Sequence, residues 1–314
     1  MAVLAMLTII AATVALRRCA GSWNWAELCA GLHHQSMASL ATAIALTLAS
    51  FAALGAYDAL GCATVVPGRI GLATALFAGA TGNAISNTLG FHAVTGTAVR
   101  LRIYGRAGIL VGDALRVISL SWLGIGLGFV ALISLAGLVG VRSGLHDAGP
   151  AWSTSLGLGV ALLVFLAWLS GAGRTLRLGA VRLELPPART GLSLVALGVV
   201  ENGAAIAALY VLLPPASAPP FLPFALSYVG AVALGIASQV PGGIGVFEAA
   251  LMAIWASRIG PGLPLALVVY RVVYNLLPFA LAVVSLALWE ASNAARHDRG
   301  LSSMAGSDGS TTAA

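Results

Sequence analysis

This chain predicts an all-α fold: a polytopic integral membrane helical bundle of about eight to nine membrane segments, some of them broken or re-entrant. Three observations predict it. The 314 residues are 59% hydrophobic and only 8% charged, with a mean hydropathy of +0.97, whereas soluble domains carry about 25% charged residues. The apolar residues fall into runs near or above the roughly 17 to 25 residues that cross a bilayer. The arginines gather between those runs, as the positive-inside rule requires of cytoplasmic loops.

The segments follow in order. Residues 1–16 are apolar and precede Arg17-Arg18. A signal peptide carries its charge before its apolar core, so this stretch reads as a first membrane segment. The next runs are 37–57, 71–95, 110–140, 152–172, 190–213, 221–240, 244–259 and 263–289. The run 110–140 is long enough to tilt or to extend past the bilayer. Arg100, Arg102 and Arg106 follow the third run, and Arg174, Arg177, Arg182 and Arg189 follow the fifth, where Pro186-Pro187 close a basic loop. Pro214, Pro215, Pro219 and Pro220 make a stiff, uncharged connection. Threading the arginines inside, with 71–95 as a full crossing, places the N-terminus outside and the C-terminus in the cytoplasm. A re-entrant hairpin at 71–95 would invert the first two spans and leave Arg17-Arg18 outside. The membrane domain is expected over 1–295. A small, polar, disordered cytoplasmic tail is expected over 296–314.

Composition also excludes classes. The net charge is +6, from 16 Arg against 10 Asp and Glu, with no Lys. No basic run interleaves with aromatics, so nucleic acid is not expected as a partner. Cys19, Cys29 and Cys62 are scattered and no His/Cys cluster has metal-ligand spacing, so neither a metal nor another cofactor is expected. The longest polar connection is about twenty residues, too short for a soluble catalytic domain, which needs at least about 50.

Three constellations interrupt the apolar pattern. Gly79 to Gly96 reads GATGNAISNTLGFHAVTG, with Asn83 and Asn87 on one helix face. It fits a small-residue packing face, or a polar, locally unwound lining for a lipid headgroup. Arg100, Arg102, Tyr104 and Arg106 follow at once, and because arginine donors match phosphate geometry, Arg100 and Arg102 are expected to recruit anionic headgroups at the cytoplasmic surface. Ser238 to Glu248 reads SQVPGGIGVFE, where Pro241, Gly242, Gly243 and Gly245 break a helix and Glu248 follows. A half-helix starting at Gly245 offers unpaired N–H groups and a positive dipole end to an anion. Alternatively, Glu248 caps its own helix. The third is Tyr270, Arg271, Tyr274, Asn275 and Pro278. An unpaired intramembrane arginine costs about 2.5–3.5 kcal/mol, so Arg271 requires a partner, with Glu248 and Glu201 as the candidates. Asp58 closes the second span and is a further candidate for a buried charge partner.

These strings together resemble the membrane (flippase) domain of the lysylphosphatidylglycerol synthase/flippase family, the multiple peptide resistance factor, and its free-standing relatives. The matching residues are Tyr57-Asp58; Asn87-Thr88-Leu89-Gly90 with Gly96, Arg100, Arg102 and Tyr104; Gly112-Asp113 with Arg116; Pro241 to Glu248; and Arg271 with Tyr274 and Pro278. The resemblance covers roughly residues 40–290. It implies a bundle that binds or moves an anionic or aminoacylated phospholipid across a bacterial inner membrane. The family's cytoplasmic aminoacyl-transferase domain is not expected here, so transferase activity is not carried over. The alternatives are a membrane-embedded lipid transferase using Glu248 or Asp58, and a non-catalytic subunit of a separately encoded synthase. A homo-oligomer is compatible with either.

Overall fold

The computed structural model describes residues 36–90, 92–142, 150–169, 175–178, 181–184, 186–238 and 240–308. The expected first segment, 1–16, and Arg17-Arg18 lie outside them. Helix α1 spans Met37–Val65, capped by Ser36, whose hydroxyl accepts from the Ala38 N–H at 3.2 Å. Helices α2 (Leu72–Leu89), α3 (His92–Arg106), α4 (Val111–Arg142) and α5 (Pro150–Leu169) follow. A short antiparallel hairpin, β1 (Thr175–Leu178) and β2 (Val181–Glu184), lies in the basic loop. Helices α6 (Ala188–Tyr210), α7 (Phe221–Ala237), α8 (Val246–Ile259), α9 (Gly262–Tyr270) and α10 (Leu277–Asp308) complete the order. Helix α10 thus continues into the 296–314 stretch expected as a tail.

Two ends define the molecule. At one, Arg102 and Arg106 both pair with Glu290 of α10, and Arg69 donates to the Gly108 carbonyl at 3.1 Å. At the other, Ser217 of the proline-rich connection donates to the Ile259 carbonyl at 3.4 Å. Gly262 stands so close to Pro214 that a methyl group on it would lie 2.2 Å from Pro214 Cγ. By the positive-inside rule the arginine end is cytoplasmic. Helices α9 and α10 join the two ends as one column, interrupted by a π-helical turn at Arg271–Leu276.

The run 71–95 does not cross. Helix α2 leaves the arginine end, breaks at Gly90 (φ 74) and returns as α3 to Gly108, beside Arg69 where the excursion began. Its arms touch at two glycines: a methyl group on Gly96 would lie 3.1 Å from the Gly82 carbonyl oxygen. This hairpin corrects the expected threading. Helix α1 approaches the arginine end instead of leaving it, for Ser50 sits level with Tyr274 while Asp58, further along, reaches Arg100 and Tyr104.

A second hairpin enters from the proline end. Helix α7 runs inward, the chain turns through Pro241–Gly243, and α8 returns until Ile259 lies beside Ser217. Phe224 and Trp255 mark the adjacent arms, with ring centroids 6.4 Å apart. Five stretches among the described residues are long and apolar enough to cross a membrane by length and composition, residues 241–259 included. That stretch nevertheless goes back to the end from which α7 came.

The frame around both hairpins is α1, α4 and α6, with α5 packed outside α4. Gly128 and Gly198 bring α4 and α6 into backbone contact; a methyl group on Gly128 would lie 2.5 Å from Gly198 Cα. Small residues at such crossings allow close approach, which drives helix association in lipid. Tyr57 fills the space left by Gly124 one turn away.

Candidate functional site

The two hairpins meet tip to tip. A methyl group on Gly90 would lie 2.8 Å from Pro241 Cα, and one on Gly242 would lie 3.0 Å from the Thr88 carbonyl oxygen. Only glycine, at positive φ, permits this approach. The π-helical turn packs against both tips. Its Asn275 carbonyl accepts from the Thr88 hydroxyl at 3.2 Å, and the Asn275 side chain donates to the Asn87 carbonyl at 3.4 Å. The π turn is closed by the Leu277 N–H bonding to the Val272 carbonyl. Such single-turn bulges recur at functional sites.

Arg271 ties the second tip to this turn. Its Nε donates to Glu248 Oε1 at 2.5 Å, and its Nη1 donates to the Gly242 carbonyl at 2.9 Å. The guanidinium carbon lies 5.1 Å from the Phe247 ring centroid. The other Glu248 oxygen accepts from the Gly245 N–H at 2.7 Å. So Glu248 both caps α8 and pairs Arg271, as the sequence led us to expect for the arginine. It also occupies the Gly245 N–H that was expected to receive an anion.

A second buried cluster stands at the base of the first hairpin. Asp58 accepts from Arg100 Nε at 2.9 Å and Tyr104 Oη at 2.6 Å on one oxygen, and from Ser121 Oγ at 2.6 Å on the other. Asp58 is fully buried and Arg100 is 2% exposed. Arg100 is therefore not a surface recruiter of headgroups, the role expected from its place after the third run. Arg102 is exposed and engaged with Glu290.

Between these clusters lies a cavity of about 510 Å³. Asn83, Asn87, Arg100, Gly242, Gly243, Arg271 and Tyr274 line it, as do Ser86, Trp122, Glu201, Asn202, Tyr228, Tyr270 and Asn275. Arg102, Tyr104, Gly245 and Glu248 from the expected set do not; they hold the wall residues or the hairpin base in place. Asn83 is spent on its own helix, donating to the Gly79 carbonyl at 2.9 Å. Tyr274 shares a hydrogen bond with Ser50 at 2.8 Å, and Tyr270 shares one with Tyr228 at 2.6 Å.

The wall carries unmet hydrogen-bonding capacity. Among the described residues, Arg100 Nη2 and Arg271 Nη2 are buried donors without a partner, and Glu201 Oε2 and Asn275 Oδ1 are buried acceptors without one. Glu201 is thus not the partner of Arg271. The Glu201-Asn202 pair inside an apolar run was the signal for a polar wall there. Trp122 also faces the cavity, which the apolar run on α4 could not announce, since it gives no sign of which face is lined.

No family model matches the chain. It is 28% identical over 306 residues to the inner membrane protein YbhN of Escherichia coli K12, an alignment covering 92% of each chain. It is also 28% identical over 284 residues to the uncharacterized protein slr0712 of Synechocystis, covering 85% of this chain and 84% of that one. This is a multi-pass inner-membrane protein. Both alignments span most of each chain.

Proposed function

We propose that this protein binds the anionic headgroup of a phospholipid in the cavity between the hairpin tips and carries it across the bilayer. The observation that supports this reading is the pair of buried, unpartnered guanidinium amines, Arg100 Nη2 and Arg271 Nη2, on the wall of one cavity. An unsatisfied buried donor costs about 1–3 kcal/mol, more when charged. A phosphodiester supplies acceptor oxygens to such donors in the geometry arginine prefers. The volume of about 510 Å³ lies within the range of small-ligand sites and takes a headgroup, leaving the acyl chains in lipid. Broken helices meeting at membrane depth are also how transporters build polar sites.

The resemblance to the lysylphosphatidylglycerol flippase domain narrows the lipid class to phosphatidylglycerol or an aminoacylated form of it. No GxxxxGK[ST] motif occurs in the chain to bind a driving nucleotide.

The test is reconstitution of the full chain in phosphatidylcholine vesicles containing tail-labelled phosphatidylglycerol, with transbilayer exchange followed by albumin back-extraction. Exchange is expected to exceed that of protein-free vesicles and to fall at least about tenfold in Arg271→Ala, the loss of one charge-assisted contact. Equal rates for wild type and empty vesicles overturn the reading.

A further inference from the structure

Glu201 has no place in the anion-binding wall just described, yet it faces the same cavity. It is 7% exposed, sits inside the apolar run of α6, and its Oε2 has no hydrogen-bond partner among the described residues. A carboxylate left ionised in that position lacks the pairing that buried charge requires. Its own helix offers the neighbouring Asn202 amide as a hydrogen-bond partner, and the elements packed on it offer little more. From α1 come the phenol of Tyr57, itself without a partner, and Asp58, already held by Arg100, Tyr104 and Ser121. From α4 come Ser121 and Trp122, its ionisable residues Asp113, Arg116 and Arg142 standing towards its ends. Helix α5 carries no ionisable side chain, and α7 contributes only the phenol of Tyr228, bonded to Tyr270. From α9 and the π turn come Tyr270, Tyr274 and Arg271; Arg271 bonds Glu248 and Gly242 through Nε and Nη1, and its remaining Nη2 makes no bond to Glu201.

We infer that Glu201 is a proton-binding site that loads together with the anion: the cavity accepts a headgroup phosphate only when Glu201 is protonated. Two negative groups in one cavity of about 510 Å³ repel each other strongly in a weakly screening interior. Protonation removes the repulsion and gives the carboxyl an O–H that donates to the phosphate. Each loading event thus takes up one proton from water, which resides on Glu201 and is released when the anion leaves. This inference rests on the lipid-carrying reading, and adds to it a source of drive, since the headgroup and a proton move as a pair.

The experiment uses the same vesicles at symmetric pH, from about 5.5 to about 9, the side of the scale on which a carboxyl group in water is ionised. Wild-type exchange is expected to fall about tenfold or more as pH rises through this window. Glu201→Gln, which keeps the shape and cannot ionise, is expected to exchange at the low-pH rate throughout. A wild-type profile that is flat, or a Gln variant that retains the wild-type slope, overturns the proton site while leaving lipid movement standing. Absence of exchange at every pH in wild type strikes the underlying reading instead. If the Gln variant does not fold, labelling of the wild-type chain with a hydrophobic carbodiimide decides the matter. The reagent adds to protonated carboxyls, so mass spectrometry is expected to find the adduct on Glu201, decreasing as pH rises. No adduct on Glu201 at low pH overturns the inference.

Discussion

Asp58 holds a buried ion pair and Arg271 a largely buried one, and the loss of each has a calculable sign. Removing one partner of such a pair strands the other charge and costs about 3–5 kcal/mol, whereas removing both costs far less. Arg271→Ala strands Glu248, and Asp58→Ala strands Arg100. Thermal unfolding in detergent is expected to show each single variant strongly destabilised. The doubles Glu248→Ala/Arg271→Ala and Asp58→Ala/Arg100→Ala are expected to recover part of the loss. Additive losses would show that these pairs do not interact. The arginine pairing was half legible in the chain. An intramembrane arginine demands an acid, and Glu248 lay close in topology, but nothing in the string separated it from Glu201. Only the tip-to-turn contact does that, because it spends Glu248 on both Gly245 and Arg271. The Asp58–Arg100 pair was less legible. Both residues sit near the ends of apolar runs, where a charge ordinarily meets water, and only the return of α3 buries them against Ser121.

At the level of elements, glycine sets how closely the segments approach. Gly90→Ala places a methyl group 2.8 Å from Pro241 Cα on a backbone with φ 74, so it is expected to push the hairpin tips apart and lower the melting temperature. Gly105→Ala, with nothing within 4 Å of the added carbon, is the matched control and is expected to leave the melt unchanged or slightly raised. A comparable loss in the control would remove the tip contact as the explanation. The breaks themselves were readable in part: PGGIG announced one, but of the glycines over 79–96 only Gly90 makes another, since Gly79 and Gly82 lie within α2 and Gly96 within α3. What could not be read was that α3 is a helix at all. Its stretch carries three arginines and looks like a loop, yet Arg100 is neutralised within the bundle while Arg102 and Arg106 share Glu290. The run 71–95 was long enough for a crossing, and length says nothing about whether a chain turns back.

For the whole molecule, the two ends should face different compartments. In a cysteine-free background, Ala216→Cys in the proline-rich connection is expected to react with an impermeant maleimide from outside intact cells or spheroplasts. Ser292→Cys near Glu290 is expected to react only after the membrane is opened. Both positions are exposed. Labelling of both from the same side would contradict the hairpin description, since α9 and α10 run between them as one column. The bundle as a class was evident from composition and run length, because a bilayer leaves few ways to satisfy a backbone. Its handedness of threading was not, because the decisive arginines belong to a hairpin that never leaves its own side.

The meeting of Gly90 with Pro241 means that no uninterrupted helix separates the compartments along that line. Were water to reach both faces of that seam, the membrane voltage would fall across it, and each elementary charge carried through would exchange about 2.3 kcal/mol per 100 mV, whereas a neutral ion–proton couple would exchange almost none.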